Sequence, residues 1–198
     1  MTHAALLLFD LGGVLIENAV FDSLNPMLPQ PLDSVAIRER WLTSPAVRGF
    51  ELGRIPATEF AEQFIAEWNI AMTPQAFLEA FIDWPKGFYA GASECVGILR
   101  QRYRVGCLSN SNALHWAKFD GFEGVFDIAL SSHLLGVIKP DEAAFVRALA
   151  ECRVPAEDVV FFDDSQPNVK MAQSLGIRAF HVDGFAALMP VLQAEGLM

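Results

Sequence analysis

Along the chain, short unbroken apolar runs alternate with longer stretches in which apolar residues recur every third or fourth position. Residues 5–9, 105–108, 128–130 and 159–162 are such runs, and residues 178–182 form a fifth, more mixed one. Runs of this length without polar alternation predict strands covered on both faces, as in a parallel sheet. Helical spacing appears over residues 92–103, over 142–152 behind Pro140 and Asp141, and over 167–175, which Gly176 closes. The alternation predicts the α/β class, a Rossmann-like doubly wound parallel sheet.

Residues 18–88 break the alternation: helical patterns follow one another there without a recognisable strand. Thr58 is placed to N-cap a helix carrying Phe60, Phe64 and Trp68, and Thr73-Pro74 to open one carrying Phe77, Ala80, Phe81 and Trp84. The expected organisation is an α/β core of residues 1–17 and 89–198 with an all-helical insert, 18–88, after the first strand. Such an insert is either part of the helical layer or a cap over the strand ends, where ligands bind in these folds. Its aromatic residues read first as packing.

Composition narrows the function classes. The 198 residues suit one α/β domain with a modest insertion, and 53% apolar with 19% charged residues places the chain among ordered globular proteins. A net charge of −10 with scattered basic residues argues against nucleic acid, although a small anion remains compatible with a local cationic site. Cys95, Cys107 and Cys152 are odd in number and widely spaced, which predicts reduced thiols. With no apolar stretch of membrane-spanning length, the expectation is a cytoplasmic protein without a membrane partner.

Candidate chemistry sits where strands end. Asp10 closes the first run; Ser109-Asn110-Ser111-Asn112 follow another; Lys139-Pro140 follow Gly136-Val137-Ile138; Asp163-Asp164 follow Val159–Phe162. Each residue alone has an ordinary turn or cap explanation, but together they bring a carboxylate, hydroxyl and amide donors, a cation and a carboxylate pair to one sheet edge. Like charges about 4 Å apart repel by ~4 kcal/mol at an effective dielectric near 20. Converging carboxylates therefore call for a hard divalent cation such as Mg²⁺, which prefers oxygen ligands. Lys139 and the Ser109 hydroxyl suit phosphoryl oxygens. Ser111 and Asn112 are equally placed to cap the next helix.

The ordered blocks Asp10-Leu11-Gly12-Gly13-Val14-Leu15, Leu108-Ser109-Asn110-Ser111-Asn112, Lys139-Pro140 and Phe161-Phe162-Asp163-Asp164-Ser165 resemble the haloacid dehalogenase superfamily across essentially the whole chain. The resemblance implies Asp10 as nucleophile, Ser109 and Lys139 on the phosphoryl group with Asn110 and Gly12 beside it, and Mg²⁺ held by Asp10, the Gly12 carbonyl, Asp164 and Asp163. It further implies a substrate-selecting helical cap, hydrolysis of a small phosphorylated metabolite through an aspartyl-phosphate, and no particular oligomeric state. Residues 108–115 most resemble the bacterial sugar-phosphatase branch, with His115 expected on a helix surface.

One position departs from the pattern. Where most phosphatases of the superfamily carry an acid–base Asp two residues after the nucleophile, this chain has Gly12. Three readings stay open: another carboxylate, Glu17 or Glu51, takes over the proton transfer; the leaving group needs little help; or the chain binds a phospho-ligand without turning it over. A 2-haloacid dehalogenase, which needs no metal, is the rival enzyme, and the Asp163-Asp164 pair argues against it.

Overall fold

The computed structural model describes residues 4–118 and 122–198. In chain order the elements are β1 (Leu6–Phe9), β2 (Ile16–Asn18), α1 (Val20–Leu24), α2 (Ser34–Thr43), α3 (Pro45–Glu51), α4 (Ala57–Trp68), α5 (Pro74–Ile82), β3 (Pro85–Phe88), α6 (Ala92–Leu99), β4 (Arg104–Ser109), α7 (Ala113–Lys118), β5 (Ile128–Ser131), α8 (Ser132–Leu135), α9 (Glu142–Cys152), β6 (Val159–Asp163), α10 (Gln166–Ser174), β7 (Arg178–His181) and α11 (Phe185–Ala194).

Five of the strands form one parallel sheet in the order β5-β4-β1-β6-β7, so the predicted doubly wound class is what the chain adopts. Alternate residues of each strand serve opposite faces. Leu7, Phe9, Val105, Cys107, Val160 and Phe162 pack with α6 and α11 through Val96, Leu99, Leu188 and Leu192. Leu6, Leu8, Val159 and Phe161 pack on the other side with Phe145 and Ala148 of α9 and Val169 and Ala172 of α10. Apolar side chains on both faces explain why these strands show no polar alternation in sequence.

Helices α1 to α5 have an aromatic core of their own, in which Phe50, Phe60, Phe64, Trp68, Phe77, Phe81 and Trp84 are all buried. Phe60 lies at ring-centroid distances of 4.4 Å from Phe50 and 5.0 Å from Phe81, and Phe64 lies 5.1 Å from both Trp68 and Phe77. Thr73 caps α5 as expected, accepting from the Ala76 N–H at 3.3 Å. Thr58 does not cap α4: the helix starts at Ala57 behind Pro56, which puts Thr58 in its first turn. Helix α6 ends at Leu99, short of Tyr103, because the chain tightens there into three-residue turns, Gln101 N–H to Ile98 and Arg102 N–H to Leu99.

The insert is not wholly helical. β2 and β3 form a two-stranded antiparallel ribbon, Ile16 opposite Phe88 and Glu17 opposite Gly87, where the chain leaves the sheet and returns to it. Segments of three and four residues are too short to show a strand period, and their pairing spans the whole insert, so nothing local announces them. Among the described residues no helix is long and apolar enough to cross a membrane.

Candidate active site

Three adjacent strands set the site. β1 lies between β4 and β6, so the carboxyl ends of these strands bring Asp10, Ser109 and Asp163 side by side. Asp10 is fixed there by its N–H, which donates to the Phe162 carbonyl at 2.8 Å. Lys139 arrives from the loop between α8 and α9. Asn110 holds that loop with both ends of its side chain: Nδ2 donates to the Lys139 carbonyl at 2.9 Å and Oδ1 accepts the Lys139 N–H at 3.0 Å.

The lysine is buried and bridges two carboxylates, with Nζ 2.8 Å from Asp10 Oδ1 and 2.6 Å from Asp163 Oδ2. Asp163 is saturated, accepting also from the Ser165 N–H at 2.8 Å and from Asn168 Nδ2 at 2.9 and 3.0 Å. A fully satisfied buried network of this kind is rigid. Asp164 is held more loosely, its nearest cation being Arg38 of α2 at 3.9 Å, and the turn between β1 and β2 that packs against it needs a glycine: Gly13 has φ +80°, and a Cβ there would lie 2.6 Å from Asp164 Oδ2. Ser109 and Gly12 line the same cavity.

Electrostatics follow from burial. Desolvation pushes the Asp10 carboxyl up to about 7, with Lys139 opposing and the charges of Asp163 and Asp164 adding to the rise. Asp164 is pushed up to about 6, chiefly by burial and then by Asp163. Burial alone would depress Lys139, but its pairing with Asp10 and Asp163 overrides this and holds the ammonium above its ordinary value. One lysine therefore faces three carboxylates, each offering an oxygen within 4.8 Å of the others. Such a hard-oxygen, net-negative cluster is the donor set that fits a small divalent cation.

The cavity above these groups measures about 490 Å³ and has walls from both regions: Ser109, Asn110 and Asn168 from the core, Trp41, Arg48 and Glu51 from the helical insert. Burial raises Glu51 to about 8, helped by the charge of Asp10 and opposed by Lys139 and Arg48.

With this geometry, comparison with known proteins is decisive. A family model described as haloacid dehalogenase-like hydrolase matches residues 4–176. The chain belongs to that family. It is 26% identical over 196 residues to D-ribitol-5-phosphate phosphatase of Bacteroides thetaiotaomicron, covering 91% of this chain and 92% of that one. It is 25% identical over 190 residues to mouse acyl-CoA dehydrogenase family member 10, of whose length it spans only 18%. Among solved structures, a haloacid dehalogenase family enzyme of Bacteroides thetaiotaomicron, bt-2542, in complex with magnesium and inorganic phosphate, superposes with a TM-score of 0.73 at 24% identity, covering 90% of this chain and 94% of that one. The L-2-haloacid dehalogenase RSc1362 gives 0.73 at 19% identity, covering 98% and 99%. At these identities the structural likeness is one of fold.

For this hydrolase-family chain, Asp10, Ser109, Lys139, Asp163 and Asp164 meet at one sheet edge, and Asn110 sits beside them with its side chain committed to the backbone of Lys139. Two expectations fail. His115 is not on a surface but buried, with Nε2 2.8 Å from the Phe81 carbonyl and Nδ1 3.2 Å from Asn112 Nδ2, and burial lowers it to about 4. A histidine with that value is neutral, so Nε2 donates to Phe81 and Nδ1 accepts from Asn112. Glu17 is exposed on β2 and is not among the residues lining the cavity, whereas Glu51 is. Asn168, Arg38 and Arg48 were not singled out from the sequence. Only Asn168 left a trace there, as a polar residue in the first turn of the helix after Asp163-Asp164.

Proposed function

We propose that the chain is a Mg²⁺-dependent phosphatase of a small phosphomonoester, sugar phosphates being the favoured class, with Asp10 as nucleophile. The observation that carries this reading is the convergence of the Asp10, Asp163 and Asp164 carboxylates with Lys139 at the carboxyl end of the sheet. The name of the D-ribitol-5-phosphate phosphatase relative supports the substrate class, as do the polar side chains of Asn18, Arg38, Arg48 and Glu51 within a mixed cavity wall.

Asp10 and Asp164, with the Gly12 carbonyl, would hold the ion, while Asp163, already saturated by Lys139, Ser165 and Asn168, stands behind them as a positioning residue. Bound Mg²⁺ supplies charge neutralisation between nucleophile and phosphate. Lys139 holds Asp10 Oδ1, and Oδ2 attacks phosphorus in line. The Ser109 hydroxyl and the Lys139 ammonium stabilise charge on the phosphoryl oxygens. The alcohol leaves, and water hydrolyses the acyl phosphate on Asp10, which divides one difficult displacement into two.

The test is phosphate release from a panel of phosphorylated sugars and small metabolites, with Mg²⁺ or EDTA, for the wild type and Asp10→Asn. Mg²⁺-dependent release that falls by ~10⁴-fold or more in Asp10→Asn is the expected outcome, since removing a covalent nucleophile abolishes the route itself. Halide release from 2-haloacids without phosphate release would instead establish the metal-free dehalogenase.

A further inference from the structure

Departure of an alkoxide from phosphorus needs a proton, and general-acid help is typically worth ~10²–10⁴ in rate. The three carboxylates of the sheet edge are poorly suited to give one: Asp10 is bonded to Lys139, Asp163 is saturated, and Asp164 is the outer member of the cation cluster. Residue 12 carries no side chain, and the space a side chain would enter is occupied, since a Cβ on Gly12 would lie 3.0 Å from Asn18 Nδ2. Asp141, a further carboxylate on the core wall, is paired with Arg48, which leaves the insert's wall of the cavity as the place to look for the proton.

We propose that Glu51, the last residue of α3, gives the leaving-group oxygen its proton and then takes one from the attacking water. The inference rests on the phosphatase reading above. Glu51 lines the cavity, and its carboxyl has no hydrogen-bond or ion-pair partner among the described residues, so it is not committed elsewhere. Its backbone is bolted to the core, which fixes the side chain's starting point: Ser132 Oγ donates to the Glu51 carbonyl at 2.6 Å and itself accepts the N–H of Ser111, two residues beyond Ser109, at 3.0 Å. One turn earlier, Arg48 pairs with Asp141 on the core side. The elevated value of about 8 leaves the carboxyl protonated at neutral pH, as an acid requires.

In the first half-reaction the Asp10–phosphorus bond forms, the bond to the ester oxygen breaks, and that oxygen keeps the electron pair and takes the Glu51 proton. In the second, water's oxygen bonds to phosphorus, its proton goes to Glu51, and Asp10 leaves as a carboxylate with inorganic phosphate. Both groups then stand as they began.

Glu51→Gln keeps the shape and removes the proton. The test measures kcat/KM with Mg²⁺ for phosphomonoesters graded from nitrophenyl to primary alkyl, in the wild type, Glu51→Gln and Asp10→Asn. We expect Glu51→Gln to lose ~10²–10⁴-fold on alkyl esters and under about tenfold on nitrophenyl phosphate, whose leaving group needs no proton. An equal loss across the series, or none, with turnover still dependent on Asp10, would overturn the role of Glu51 alone. Absence of Asp10-dependent turnover in the wild type would overturn the phosphatase reading and this inference with it.

Discussion

The molecule holds two differently built regions against one cavity. On the sheet side, aliphatic residues and a few rings are packed in two layers, and the polar groups at the strand ends are closed into a network: Asp163 alone accepts from Lys139, Ser165 and Asn168. The helical insert is packed around a cluster of aromatic rings with aliphatic residues such as Leu24, Ile37 and Ile70 about it, and the indole N–H groups of Trp68 and Trp84 are buried without a hydrogen-bond partner among the described residues. Each such orphan donor costs about 1–3 kcal/mol. The two sides meet through a handful of polar contacts, among them His115 to the Phe81 carbonyl, Lys118 to Asp83, and Ser132 to Glu51. The difference teaches how each side is held: the sheet edge, where charges converge, is saturated with hydrogen bonds, whereas the insert's core leaves two indole donors without partners among the described residues.

The sharpest way to break that contrast is Phe77→Ala in the middle of the aromatic core, where Phe77 is fully buried against Phe60, Phe64 and Phe81. The expected cost is about 3–5 kcal/mol. Three of the four tryptophans, Trp41, Trp68 and Trp84, belong to the insert, so fluorescence reports that side while far-UV circular dichroism reports the whole chain. In urea the fluorescence transition should precede the dichroism transition in this variant; coincident transitions would show that the two regions unfold as one unit.

A somewhat smaller effect is expected at the seam. His115 has its value lowered to about 4 from an ordinary 6.5. Below pH 6.5 the unfolded chain takes up a proton that the folded chain refuses, so this contribution is complete above about 6.5 and is lost as pH falls towards 4. At 1.36 kcal/mol per unit it amounts to about 3 kcal/mol. Asp10, raised to about 7, works in the opposite sense over part of the same range, so the diagnostic quantity is the difference between wild type and His115→Gln. Unfolding free energies at several pH values should show the wild type losing its advantage on acidification, and parallel curves would remove the histidine from the seam's energetics.

The smallest predicted effect is local to the sheet edge. Gly13→Ala would place a methyl group 2.6 Å from Asp164 Oδ2 at a backbone φ of +80° that alanine disfavours. If Asp164 holds the ion as proposed, disturbing the turn that positions it should weaken metal affinity by about 10–100-fold, the usual cost of altering a group that orients a ligand. A titration of activity with Mg²⁺ should therefore shift by about that factor with little change in activity at saturation, and an unshifted titration would argue that Asp164 does not hold the ion.

Much of this was legible in the linear sequence. The five strands stand out because both of their faces are buried, which leaves unbroken apolar runs, and a residue at the end of a run is already committed to the sheet's edge. Asp10, Ser109 and Asp163 could therefore be placed beside one another before any coordinates, and Thr73-Pro74 announced α5 through local chemistry alone. What only the tertiary structure decided are matters of approach between distant segments. The β2–β3 ribbon joins residues some seventy positions apart. His115 is buried because the insert folds down upon it. Of the two carboxylates the sequence offered in place of Gly12, Glu17 is nearer in the chain yet faces solvent, while Glu51, at the end of an inserted helix, lies against the cavity. Strand ends converge because hydrogen bonding fixes their register; side chains from an insert converge only through packing, which carries no period along the chain.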